Sequence, residues 1–189
     1  MIIVDKDFGS ESLKKDISDA VFSWQPTFQW VFAPASNVAD RNGHAVENDS
    51  NLYEHPMFVC PVGPGHPYRL KIVGLLESFL NKHNISYNEI IRIKLNIVTM
   101  ASGDSAGKYQ MPHVDSNEDH MVFLYYINDS DGDTYFFNER YGEDPKEFTV
   151  MQTVTPEAGK AAVFSGDIFH APSAPIKSNY RAVINIDFK

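Results

Sequence analysis

The chain has 189 residues, 43% hydrophobic and 13% aromatic, which is the length of one ordinary domain with apolar material for a sizeable core. A formal net charge of −9 argues against a broad phosphate-binding face and leaves at most a local basic groove, so a nucleic-acid partner is not expected. A single cysteine, Cys60, excludes an internal disulfide and any zinc site built on several thiolates. The charged opening MIIVDKDFGSESLKKD lacks a signal-peptide core, and no later apolar run is long enough to span a bilayer. The expectation is a soluble, cytoplasmic protein with no membrane partner.

In chain order, residues 10–24 (SESLKKDISDAVFSW) repeat Leu13, Ile17, Val21 and Trp24 at near-helical spacing, which predicts an amphipathic helix packed on a sheet. TFQWVFA, residues 27–33, reads as a strand, and the polar, turn-rich PASNVADRNGHAVENDSN that follows reads as a long loop. A second helix is expected in YRLKIVGLLESFLNKH, where Ile72, Leu75, Leu76, Phe79 and Leu80 form one stripe. From EIIRIKLNIVTM onward the pattern becomes short β-branched and aromatic runs: MVFLYYI, TYFFN, EFTVMQTV, KAAVFS and YRAVINIDF. Helices followed by at least six short strands predict a mainly β chain with N-terminal helices (α+β), a sandwich or jelly roll with the helices laid on one sheet. No linker divides it. A single domain spanning 1–189 is expected, with residues 1–87 as a helical and loop support and 88–189 as the β core.

If PHVD is extended, the two-residue period of a strand turns His113 and Asp115 to one side and Val114 to the other. Two histidines and a carboxylate on one face of a metal leave the opposite positions open to substrates. The second histidine is His170 of VFSGDIFHAP, 170 − 113 = 57 residues later. Arg181, at 181 − 170 = 11 residues further, begins the last strand. Alternation there groups Arg181, Val183, Asn185 and Asp187 on one face, against Tyr180, Ala182, Ile184, Ile186 and Phe188 on a face that belongs in the core. If the first face lines a cavity, the guanidinium of Arg181 suits a carboxylate held by both oxygens.

The succession HVD, YYIN, GDTYFF, FSGDIFH and YRAVINIDF resembles the catalytic core of the Fe(II)/2-oxoglutarate-dependent dioxygenases, particularly the prolyl 4-hydroxylase-like branch, over roughly residues 88–189. The resemblance implies a double-stranded β-helix and a metal site of His113, Asp115 and His170. It makes Arg181 the anchor for the far carboxylate of 2-oxoglutarate, with Tyr126, the second tyrosine of YYIN, reaching the same carboxylate. Asn185, on the Arg181 face, touches cofactor or substrate, or makes a structural hydrogen bond. The cofactors implied are Fe(II), 2-oxoglutarate and O2, with ascorbate as a candidate reductant. The reaction implied is hydroxylation of an unidentified protein or small-molecule substrate, such as a prolyl or other amino-acid residue, with release of succinate and CO2. The protein would act as a monomer or small homo-oligomer.

Two positions depart from the family pattern: DGDTYFF lacks paired glycines, and the distal basic residue is Arg rather than Lys. Two rival classes are a cupin-type metal dioxygenase that does not use 2-oxoglutarate and a non-enzymatic jelly-roll binding module. His120, close to Asp115 in the acidic DSNEDH, is the rival ligand, while His44, His55, His66 and His83 read as surface or helix-end residues. NDSDGD resembles half a calcium loop, but the twelfth position from Asp129 is Arg140 instead of Glu, so a solvated turn is expected. Residues 34–57 and 102–110 are the expected substrate lid.

Overall fold

A computed structural model describes residues 1–24, 27–34 and 50–189. Among these residues two helices, α1 (Glu11–Val21) and α2 (Arg69–Lys82), accompany ten strands. The strands are β1 (Ile2–Asp5), β2 (Val31–Ala33), β3 (Met57–Pro61), β4 (Ile90–Thr99), β5 (Met121–Tyr126), β6 (Thr134–Arg140), β7 (Val150–Val154), β8 (Ala161–Ser165), β9 (Ile168–Pro172) and β10 (Tyr180–Phe188). They form a seven-stranded sheet, β1-β8-β5-β10-β4-β3-β2, and a three-stranded sheet, β7-β6-β9. Every strand pairing is antiparallel. The segment around His113 extends the smaller sheet beside β9, because His113 and His170 each donate their N–H to the other's carbonyl at 3.0 Å. With that segment, the chain from β4 to β10 winds between the two sheets as a double-stranded β-helix, the fold class expected.

Ser10 starts α1: its side chain accepts the Leu13 N–H at 3.3 Å, satisfying one of the helix's unpaired donors. The buried side of α1 is Ile17, Ala20 and Val21; Trp24, expected on that stripe, lies beyond the helix end and is fully exposed. In α2 the predicted stripe Ile72, Leu75, Leu76, Phe79 and Leu80 is buried whole. It packs with Ala182, Ile184, Ile186 and Phe188 of β10 and with Ile93, Leu95 and Phe123. The apolar face of β10 therefore sits under the helices. Its other face, with Arg181 and Asn185, is turned into the space between the sheets. No helix among the described residues is long and apolar enough to cross a membrane.

Three features differ from expectation. TFQWVFA is a strand only at Val31–Ala33, while residues 25–26 and 35–49, including His44 and most of the long loop, lie outside the described residues. The support region also contributes strands: β1 pairs with β8 at one edge, and β3 lies between β2 and β4. These runs, IIVD and MFVCP, are too short for a period to stand out, and their pairing partners, not their own pattern, make them strands.

Phe79 is fully buried, with its ring 5.2 Å from Phe8 and 5.4 Å from Phe123. Phe79→Ala is expected to cost about 3–5 kcal/mol of stability through lost burial and the cavity left behind. A denaturation midpoint unchanged from the parent would contradict this view of the helix–sheet core.

Candidate metal centre and co-substrate cleft

The antiparallel bridge between the His113 segment and β9 brings His113 and His170 side by side, ring centroids 4.7 Å apart. Asp115, two residues on, shares their side of the segment, and all three are buried. Each imidazole donates its Nδ1–H to a carbonyl two residues earlier: His113 to Met111 at 3.0 Å and His170 to Ile168 at 3.2 Å. This fixes the tautomer and leaves both Nε2 lone pairs to face inward. His170 Nε2 stands 3.3 Å from Asp115 Oδ2, and one ligand atom from each residue lies within 4.8 Å of the others. Two donors each about 2.1 Å from one metal and at right angles are about 3 Å apart, so the spacing suits a three-ligand face.

Protonation agrees with that use. Burial, reinforced by His170, lowers the His113 pKa to about 4, so its imidazole is neutral at neutral pH. Burial opposes ionisation of Asp115, yet Lys94 and His170 hold its carboxyl well below the usual range. The donor set is two neutral nitrogens and one anionic oxygen.

Asp115 is itself held by β4 and β10. Arg92 Nη2 donates to its Oδ1 at 2.7 Å and Lys94 Nζ to the same oxygen at 2.9 Å, while Asn185 Nδ2 donates to Oδ2 at 3.1 Å. Arg92 Nε also reaches Asp187 Oδ2 at 2.8 Å. The register makes this network, setting Asn185 opposite Lys94 and Asp187 opposite Arg92. Burial first, and then the charge of Asp115, push the Asp187 pKa up to about 7 against the pull of Arg92 and Lys94.

A carboxyl with a raised folded-state pKa binds its proton more tightly folded than unfolded. Its contribution to stability is complete below about pH 4 and is lost as pH rises through about 7. In metal-free protein, Asp187→Asn should therefore become more stable relative to the parent as pH rises from about 5 to 8. Denaturation across that range checks it, and a pH-independent difference would contradict the assignment.

Arg181 lies opposite Val98, four residues along β10 from Asn185. It is buried, donates from Nη2 to Thr134 Oγ1 at 2.6 Å, and lies 5.7 Å from the ring centroid of Tyr126. Among the described residues no carboxylate comes within 4.0 Å of it, and its Nε has no hydrogen-bond partner. A buried guanidinium without a counter-ion is costly unless an anion completes it. Asn96 Oδ1 and Asn185 Oδ1 are likewise buried and unpartnered, and both residues line the cleft of about 200 Å³ that also contains His113, His170 and Arg181. Three orphaned polar atoms beside an imidazole–carboxylate face fit a chelating dicarboxylate on a metal.

Of the residues singled out in the sequence, His113, Asp115 and His170 come together, and Arg181 and Asn185 line the same cleft. Tyr126 stands behind the wall: its hydroxyl donates to Thr134 Oγ1 at 2.8 Å, so Thr134 is the group at the cleft surface. His120 is not among the three clustered donors; its Nδ1 donates to the Glu118 carbonyl at 2.7 Å. His55 meets Thr99, and His83 meets Asp5. The NDSDGD turn is structural, since Asp131 accepts N–H groups from Ile176, Lys177 and Ser178. Of the expected lid, Ala33 and Met57 flank the cleft beside its described part, and Glu54 accepts the Met111 N–H at 2.9 Å.

Thr134, Arg92, Lys94, Asn96 and Asp187 were not singled out for roles in the sequence. The available signal was alternation in RIKLN, which sets Arg92, Lys94 and Asn96 opposite Ile93 and Leu95. Such a polar face normally means solvent.

No family model and no curated protein matches the chain by sequence. Solved structures match in fold. An oxidoreductase of the 2OG-Fe(II) oxygenase family from Burkholderia pseudomallei aligns at TM-score 0.64 and 12% identity, over 100% of this chain and 84% of its own. A prolyl-4-hydroxylase from Pseudomonas putida aligns at TM-score 0.56 and 12% identity, over 100% and 91%. HygX from Streptomyces hygroscopicus, solved with nickel, 2-oxoglutarate and hygromycin B bound, aligns at TM-score 0.63 and 10% identity, over 99% and 82%. The chain thus has the double-stranded β-helix fold of the 2OG-Fe(II) oxygenases along its whole length. Inside that fold it presents an HxD…H triad.

Proposed function

We propose that this protein is an Fe(II)- and 2-oxoglutarate-dependent oxygenase that hydroxylates a C–H bond of its substrate, with prolyl and other amino-acid residues within that range. The observation that carries this reading is the pairing, in one cleft, of a buried two-histidine, one-carboxylate cluster with a buried arginine that has no counter-ion. When bound, Fe(II) and 2-oxoglutarate supply the redox chemistry: O2 delivers one oxygen atom to the co-substrate, giving succinate and CO2, and the other to the substrate C–H bond.

The chain's own residues supply position and exclusion. His113 and His170 offer Nε2 because their Nδ1–H groups are committed to the backbone. Arg92 and Lys94 hold the outer oxygen of Asp115, which aims Oδ2 at the histidines. At the far end Thr134 Oγ1 accepts from both Tyr126 and Arg181, so its own hydroxyl proton must point elsewhere, toward an acceptor beside the guanidinium. Arg181 and Thr134 together then bind the distal carboxylate, with Tyr126 orienting Thr134. Leu124 and Val183 make that end apolar and limit water.

The test is release of labelled CO2 from 2-oxoglutarate labelled at its 1-carboxyl, with ascorbate present as reductant. Release should require Fe(II) and O2 and should vanish in His170→Ala. Equal release by parent and His170→Ala would remove the metal assignment and favour a non-enzymatic module.

A further inference from the structure

We propose that Arg92 and Lys94 form a second anion-binding pole of the cleft, which takes the carboxylate of the substrate to be oxidised. The substrate class is then a carboxylic acid with an aliphatic body. This rests on the Fe(II)/2-oxoglutarate reading and adds to it.

The first support is placement. Arg92 and Lys94 alternate along β4 and both line the cleft. Lys94 is in register with Asn185, whereas Val98 is in register with Arg181. Four residues of strand, about 13 Å, therefore separate the two cationic positions along the sheet. The triad connects with the Lys94 end: Lys94 meets Asp115 Oδ1, and the opposite oxygen of that carboxylate meets His170. A five-carbon diacid that chelates the metal with one end and meets Arg181 with the other has no carboxylate left for Lys94.

The second support is charge. Arg92, Lys94 and Arg181 face Asp115 and Asp187, a balance of 3 − 2 = +1. Fe(II) and the 2-oxoglutarate dianion cancel, so the loaded cleft keeps this positive charge in a partly buried setting that favours an anion. A dication on Asp115 Oδ2 also draws on the charge that holds Lys94 and Arg92, which lets both cations share an incoming carboxylate.

The third support is the adjoining wall. β3 runs beside β4 with Pro61 opposite Lys94 and Val59 opposite Asn96, and Met57, Val59 and Pro61 all line the cleft. A carboxylate on the Arg92–Lys94 pole would lay an aliphatic chain along these residues, next to the triad.

The probes are two acid–amide pairs, isovalerate with isovaleramide and L-leucine with L-leucinamide, added without oxygen to protein carrying Fe(II) and 2-oxoglutarate. The readout is the visible charge-transfer band, independent of turnover. The acids should shift the band, with the amides binding roughly tenfold or more weakly. At Fe(II) and 2-oxoglutarate concentrations saturating each protein, Lys94→Met should erase the preference for acids and Lys94→Arg should retain it. Acids that leave the band unmoved, amides that act equally, or a preference surviving in Lys94→Met would overturn the proposal. So would acids that abolish the band and are reversed by more 2-oxoglutarate, because the pole would then serve the co-substrate. Absence of any band before the probes are added would instead overturn the Fe(II)/2-oxoglutarate reading itself.

Discussion

Asp115→Ala is expected to abolish Fe(II) binding and with it 2-oxoglutarate turnover. The loss should exceed the roughly 10- to 100-fold that follows substitution of an outer-shell partner, because the only anionic donor of the triad is removed. The same change leaves Lys94 and Arg92 without the oxygen they share, so metal-free protein should also lose about 1–3 kcal/mol. Asp115→Asn separates the two effects: it keeps an oxygen for Lys94 and Arg92, so the fold should be largely restored, yet it lacks the charge that Fe(II) needs. Equilibrium Fe(II) binding and denaturation of the two variants provide the comparison. Parent-like iron affinity in Asp115→Ala would show that the metal, if any, sits elsewhere.

Arg181→Ala should act at the other end of the cleft. Charge-assisted hydrogen bonds contribute about 1.5–3 kcal/mol each, so 2-oxoglutarate binding should weaken by roughly 10- to 100-fold while Fe(II) affinity changes little. Thr134→Val should weaken it by less, and Tyr126→Phe by less again, because Tyr126 reaches the cleft only through the Thr134 hydroxyl. Titration of 2-oxoglutarate into metal-loaded protein measures all three. Unaltered binding in Arg181→Ala would leave the orphaned guanidinium unexplained and move a cupin-type dioxygenase ahead.

The site was legible in the sequence where residue type and spacing act together. His113 and Asp115 needed only an extended backbone, and Arg181 stood out as a cation opening a strand whose other face is apolar. The stripe of α2 was legible for the same reason, since five large side chains at helical spacing have only one place to go. What could not be read depends on partners distant in the chain. Arg92, Lys94 and Asn96 look like the wet side of a strand until β10 is set beside β4. Asp187 has a raised pKa only because Asp115, 187 − 115 = 72 residues away, is buried near it. Tyr126 was placed on the correct face, but whether its hydroxyl meets a ligand or Thr134 depends on β6. Short edge strands such as β1 likewise owe their state to a neighbour.

The most direct measurement is an anaerobic titration of metal-free protein with Fe(II), followed by 2-oxoglutarate, watching for the metal-to-ligand charge-transfer band. The account predicts saturation at one equivalent of Fe(II), a band that appears only with 2-oxoglutarate, and a higher 2-oxoglutarate requirement in Arg181→Ala. Fe(II) that binds without a band on addition of 2-oxoglutarate, or binds equally well after loss of both His113 and His170, would contradict it.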